Sequence, residues 1–174
     1  IPQGFRINEY KRLPYVKNNT PTFAYSGVFY DRLRDPSDFI HYLSSLKKPY
    51  SFVIYTPNAG AENKKLIEKY KAILGERLII KYDVNRHELI KELCKYDFLI
   101  NFKNNSNNQT PSKLIDYAIE KKPVCTIPAN DFSPDLFNKF IVGDYSDSVQ
   151  IDLGKHDISN IVTMIKNLVQ TSDR

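Results

Sequence analysis

Two periods alternate along most of this chain. The runs Thr22-Phe23-Ala24-Tyr25-Ser26, Tyr50 to Tyr55, Arg77 to Tyr82, Phe98-Leu99-Ile100 and Val124 to Ile127 are short and rich in aromatic and β-branched residues. Turn-forming residues bound them, so they predict strands. Between them, Asp35 to Leu46, Asn63 to Leu74, Arg86 to Lys95 and Pro111 to Glu120 repeat apolar residues at helical spacing, with Gly75 placed as a stop. Phe140-Ile141-Val142 predicts one more short strand, and Ile158 to Val169 a final amphipathic helix. Residues 1–20 hold no sustained period and carry Pro2 and Pro14, so they predict an extended lead-in or linker ahead of a single domain at 21–174.

Strict alternation of strand and helix with short connections predicts an α/β, Rossmann-like parallel sheet with helices on both faces. In such sheets ligands bind beyond the carboxyl ends of the strands, where the strand order reverses. For the order 3-2-1-4-5, the loops after strands one and four flank that crevice, which makes them the expected site.

The loop after strand four is the most informative stretch. An Asn-rich segment runs through Thr110-Pro111-Ser112 into a helix carrying Lys113 and Asp116. Thr110 stands where an N-cap belongs, and Pro111 at the first helical position gives up no useful N–H. The amides of Ser112 and Lys113 then face an anion at the positive end of the helix dipole. The same residues also make an ordinary helix cap. Leu114, Ile115, Ala118 and Ile119 form the expected buried stripe, leaving Lys113, Asp116, Tyr117 and Glu120 on the other face. There Asp116 either pairs with Lys113 or accepts two hydroxyls of a ribose, since an ionised carboxylate only accepts. The loop after strand one leaves the sheet at Gly27 and carries Arg32 and Arg34, whose forks suit pyrophosphate oxygens or, alternatively, bridge to Asp31 and Asp35. Neither G-x-G-x-x-G nor a P-loop is present, which disfavours the common dinucleotide and nucleotide triphosphate sites.

Composition narrows the field further. The chain has 174 residues, 41% hydrophobic and 26% charged, enough for one domain with a full core. Its net charge of +5 is spread along the sequence instead of gathered in a basic block, so nucleic acid is not an expected partner. No apolar run is long enough to span a bilayer and no secretion leader is visible, and Cys94 and Cys125 lie in helix and strand patterns as buried free thiols. These features predict a cytoplasmic protein. Asn18-Asn19-Thr20 and Asn104-Asn105-Ser106 match the glycosylation pattern by chance in an Asn-rich chain. The start at Ile1 predicts a fragment of a longer protein, and His41, His87 and His156 form no ligand cluster, so no metal is expected.

Several segments together resemble a known family. Phe23-Ala24-Tyr25-Ser26-Gly27, Arg34-Asp35-Pro36, Tyr96 to Phe102 and above all Pro111-Ser112-Lys113-Leu114-Ile115-Asp116-Tyr117-Ala118, followed by Lys122-Pro123-Val124, are similar to the C-terminal, donor-binding half of GT-B glycosyltransferases of the family 4, group 1 type. The resemblance covers nearly the whole chain and makes Ile1-Pro2-Gln3-Gly4-Phe5 an interdomain linker. It implies a bacterial enzyme of surface-polysaccharide biosynthesis that moves a sugar, hexosyl in type, from a nucleotide-sugar donor to a glycan or lipid-linked acceptor. The acceptor would be held by an N-terminal domain, with peripheral membrane association through that half. Carried residue by residue, it implies that Asp116 binds the ribose and that Arg32 and Arg34 stabilise the leaving diphosphate. The backbone from Thr110 to Lys113 would help, and the base would sit near Tyr82, Asp83 and Val84. Asn108 falls where the family often has an acid that touches the donor sugar, and so departs from the pattern. No metal or other cofactor is implied. A non-enzymatic nucleotide-binding α/β module and a nucleotide-sugar epimerase of the same architecture share these features, and a phosphoacceptor receiver domain would need paired acids after strand one, where only Asp31 and Asp35 lie.

Overall fold

A computed structural model describes residues 4–7, 10, 14–30, 36–103, 112–128 and 132–172, the last three without their side chains. Five strands, β1 (Thr22–Ser26), β2 (Ser51–Thr56), β3 (Leu78–Tyr82), β4 (Phe98–Phe102) and β5 (Val124–Ile127), alternate with the helices α1 (Ser37–Ser45), α2 (Ala61–Leu74), α3 (Arg86–Leu93) and α4 (Ser112–Ile119). Two further helices follow, α5 (Pro134–Ile141) and α6 (Ile158–Ser172). Every strand pair is parallel, in the order β3-β2-β1-β4-β5 expected from the alternation. The order reverses between β1 and β4, and the crevice above their carboxyl ends is therefore the switch point.

The strand period explains how both faces are covered. Phe23 and Tyr25, Phe52 and Ile54, and Phe98, Ile100 and Phe102 point to one face, where α1, α2 and α5 bury Phe39, Leu43, Tyr70, Phe137 and Phe140 on them. Ala24, Val53, Tyr55 and Leu99 point to the other, under Leu89 and Leu93 of α3 and Leu114 and Tyr117 of α4. The first face is aromatic. The ring of Phe23 stacks on Phe52 at 5.0 Å and on Phe98 at 4.9 Å, contacts worth roughly 0.5–1.5 kcal/mol each beyond their burial. Burial falls off toward β3, an edge strand among the described residues. There the Lys71 ammonium donates to the carbonyls of Gly75 and Leu78 at 2.9 and 2.5 Å.

One expected element is different. Phe140 and Ile141 end helix α5 instead of forming a strand. Ser133 caps that helix, Pro134 opens it, and Phe137 and Phe140, three residues apart, both face the core. A three-residue apolar run cannot by itself distinguish the two periods.

At the amino end of the sheet the lead-in is pinned down. Asp97, buried, accepts from the amides of Thr22 at 2.7 Å and Asn18 at 3.2 Å and from the hydroxyl of Tyr15. Beside it the buried Lys122 donates to the Tyr96 carbonyl at 2.6 Å and lies 3.6 Å over the Tyr15 ring. Farther along, Phe5 exchanges backbone hydrogen bonds with His156 and Ile158 at 2.8 and 3.0 Å. Phe5, Ile7 and Tyr10 pack on Ile90, Ile115 and Ile119.

Candidate functional site

The carboxyl ends of β1 and β4 are joined by the first turns of α4. Tyr117, wholly buried, accepts from the amide of Ser26 at 2.8 Å and donates to the carbonyl of Ile100 at 3.3 Å, so one phenol ties α4 to both strands. The Lys113 ammonium lies 4.5 Å over the ring of Tyr25. Gly27 leaves the sheet at φ +147°, and a Cβ there would come within 2.6 Å of the Tyr25 hydroxyl, so the backbone turn demands glycine. Beyond it, the amide of Phe29 donates to the buried Asn63 at 3.0 Å, and Asn63 in turn donates to Thr56 at the same distance. Asn63 was not anticipated as a loop anchor. Its polar amide early in an otherwise ordinary helix pattern was the available signal.

Asp116 behaves differently from the expectation of an open helix face. It is 7% exposed, Glu120 8% and Tyr117 not at all, because α4 packs on the sheet with one side and on the Phe5, Ile7 and Tyr10 cluster with another. Nor does Asp116 pair with Lys113. Its Oδ1 accepts from Nε of Arg86 at 3.0 Å and from Nη2 at 2.5 Å. Burial pushes the Asp116 carboxyl upward, and the guanidinium offsets only part of that rise.

Arg86 is the residue that sequence reasoning missed. It opens α3 directly after Asn85, whose side chain accepts from the Glu88 amide at 3.0 Å and caps the helix. The guanidinium lies 5.0 Å over the Phe5 ring and 5.7 Å over Tyr10, and Nη1 donates to the Tyr10 hydroxyl at 3.2 Å. The helix expected from Arg86 already puts this residue just past the carboxyl end of β3, and the cap at Asn85 supports that start; its pairing with Asp116 left no signal in the spacing.

Of the expected site residues, Gly27, Ser112, Lys113 and Asp116 lie at this end of the sheet. Ser112 is exposed at the first described position of α4. Tyr82 and Val84 diverge: Tyr82 borders a groove of about 630 Å³ between β3 and α2, whereas Val84 packs on the α3 and α4 face. Between them Asp83, at φ +53°, accepts from the Asn58 amide at 2.9 Å. Arg32, Arg34, Asn108, Thr110 and Pro111 lie outside the described residues. Among the described residues no cluster of His, Cys, Asp and Glu suits a metal ion, and no helix is long and apolar enough to cross a membrane.

No protein-family model and no curated protein matches the sequence. The fold, however, is matched by the crystal structure of TarM, with a TM-score of 0.50 over 83% of this chain. What the two share is the α/β, Rossmann-like parallel sheet with helices on both faces. At 11% identity the likeness is one of fold, and the chain spans 33% of the length of TarM.

Proposed function

We propose that this chain is the donor-binding domain of a glycosyltransferase that moves a sugar from a nucleotide-sugar to a glycan or lipid-linked acceptor. The observation that carries the reading is the junction of α4 with β1: Tyr117 on Ser26 and Lys113 over Tyr25 put the helix that begins at Ser112 against the strand-order reversal. That is where an α/β sheet binds nucleotides.

The chemistry follows from charge. Breaking the bond between sugar and diphosphate builds negative charge on the leaving oxygens. Lys113, Arg32, Arg34 and the amides at the start of α4 would stabilise that charge without a divalent metal. Asp116 would accept the ribose hydroxyls, and Tyr82 or Val84 would border the base. An acceptor-binding domain elsewhere in a longer protein would supply the group that activates the acceptor. The whole enzyme would work in the cytoplasm of a bacterium, at the inner face of the membrane, in surface-polysaccharide synthesis.

A thermal-shift panel of nucleoside diphosphates and nucleotide-sugars against this chain and Asp116→Ala tests the assignment. Ligand at 100 times its dissociation constant is expected to stabilise the wild type by about 2.7 kcal/mol and the variant far less. No shift with any ligand would refute donor binding, and equal shifts in both proteins would refute the ribose role.

A further inference from the structure

The Asp116 carboxylate is already half occupied. Each carboxylate oxygen has two lone-pair sites, and both on Oδ1 are taken by Nε and Nη2 of Arg86, which leaves Oδ2 as the acceptor for any further donor. The guanidinium that holds Oδ1 is itself held from behind. It stacks over Phe5 and donates to Tyr10, and Phe5 is locked by backbone hydrogen bonds to His156 and Ile158. A single side chain, about 44% exposed, thus joins the Asp116 carboxylate to Phe5 and Tyr10 of the lead-in.

We propose that Arg86 is a positioning residue for the ligand's ribose, presenting Oδ2 of Asp116 as a fixed acceptor and transmitting occupancy of the site to the segment around Phe5 and Tyr10. The inference rests on the donor-binding reading. It follows from the contact geometry: Nε and Nη2 of one planar guanidinium converge on Oδ1 and occupy that oxygen together, which the divergent donors of an ammonium of equal charge do not reproduce. A hydroxyl meeting a carboxylate held in this way discriminates a ribose from a deoxyribose. A donor arriving on Oδ2 would draw negative charge from Oδ1 and so weaken its hold on the guanidinium against which Phe5 and Tyr10 pack.

The probes are the nucleoside diphosphate that most stabilises the wild-type chain and its 2′-deoxy and 3′-deoxy forms, tested by calorimetry on wild type, Arg86→Lys and Arg86→Met. Wild type is expected to prefer the ribonucleotide over at least one deoxy form. Both variants should lose roughly tenfold of that preference, the worth of one hydrogen bond to a charged group. Amide hydrogen exchange in peptides containing Phe5 and Tyr10 should change on saturating wild type with the ribonucleotide and not on saturating Arg86→Lys. Because Arg86→Lys keeps the charge and a solvent-reaching stem, it serves even if Arg86→Met fails to fold. Binding with an unaltered preference in Arg86→Lys, or exchange near Phe5 and Tyr10 indifferent to ligand in wild type, overturns the inference while leaving donor binding intact. Failure of every nucleoside diphosphate to bind wild type overturns the donor-binding reading itself.

Discussion

The two ends of the sheet treat a buried carboxylate in opposite ways. At the amino end Asp97 accepts from two backbone amides and a tyrosine hydroxyl, and the neighbouring Lys122 is sealed between a carbonyl and an aromatic ring. At the carboxyl end Asp116 leans on one half-exposed arginine side chain. At the same end of the sheet the buried Asn101 donates to Thr126 while its Oδ1 has no hydrogen-bond partner among the described residues. The amino-end charges are satisfied by atoms that folding itself delivers. The Asp116 carboxylate is held instead by a side chain about 44% exposed, which a solute can reach and replace.

The sharpest way to break this contrast is Asp97→Ala. It strands the Thr22 and Asn18 amides and frees the lead-in, so urea unfolding should show a loss of about 3 kcal/mol, with ligand affinity of the folded fraction unchanged. A comparable loss from Asp116→Ala would erase the distinction between the two ends.

Lys122 sharpens it through pH. Burial holds its ammonium down to about 8, against 10.5 in the unfolded chain. Between those values the unfolded chain binds more protons than the folded one, so stability should rise with pH across that window. Lys122→Met removes the titration, and chemical denaturation at pH 8 and pH 10 should show the rise flattened. A rise that persists in the variant would assign it to another group.

The smallest effect is expected from Tyr117→Phe, which strands the Ser26 amide at the carboxyl end. A loss of about 1 kcal/mol in unfolding free energy, together with weaker nucleotide binding, would tie that hydroxyl to both fold and site. Weaker stability with unchanged binding would confine it to the fold.

Strand order, the covering of both faces and the placement of α4 were legible because each depends on local period and on the alternation of strand with helix. The exposure of α4 was not. A helical wheel assumes one covered face, whereas Ile115 and Ile119 meet Phe5, Ile7 and Tyr10 from a segment more than a hundred residues away in sequence. The Arg86 and Asp116 pair escaped for a related reason: it joins the first residue of α3 to the middle of α4, two helices that meet only because both cover one face of the sheet. Spacing along one element carries no trace of such a contact. Phe140 was misread because its apolar run was too short to show its period, and the cap at Ser133 with Pro134 was the better guide.

The lysine at the rim of β3 has a consequence for life at high concentration. An unpaired strand offers its carbonyls as a template to any passing chain, the first step toward edge-to-edge aggregation. By keeping the carbonyl of Leu78 engaged, Lys71 plugs the leading acceptor of that template, and an incoming strand would have to displace an ammonium before it could begin to zip.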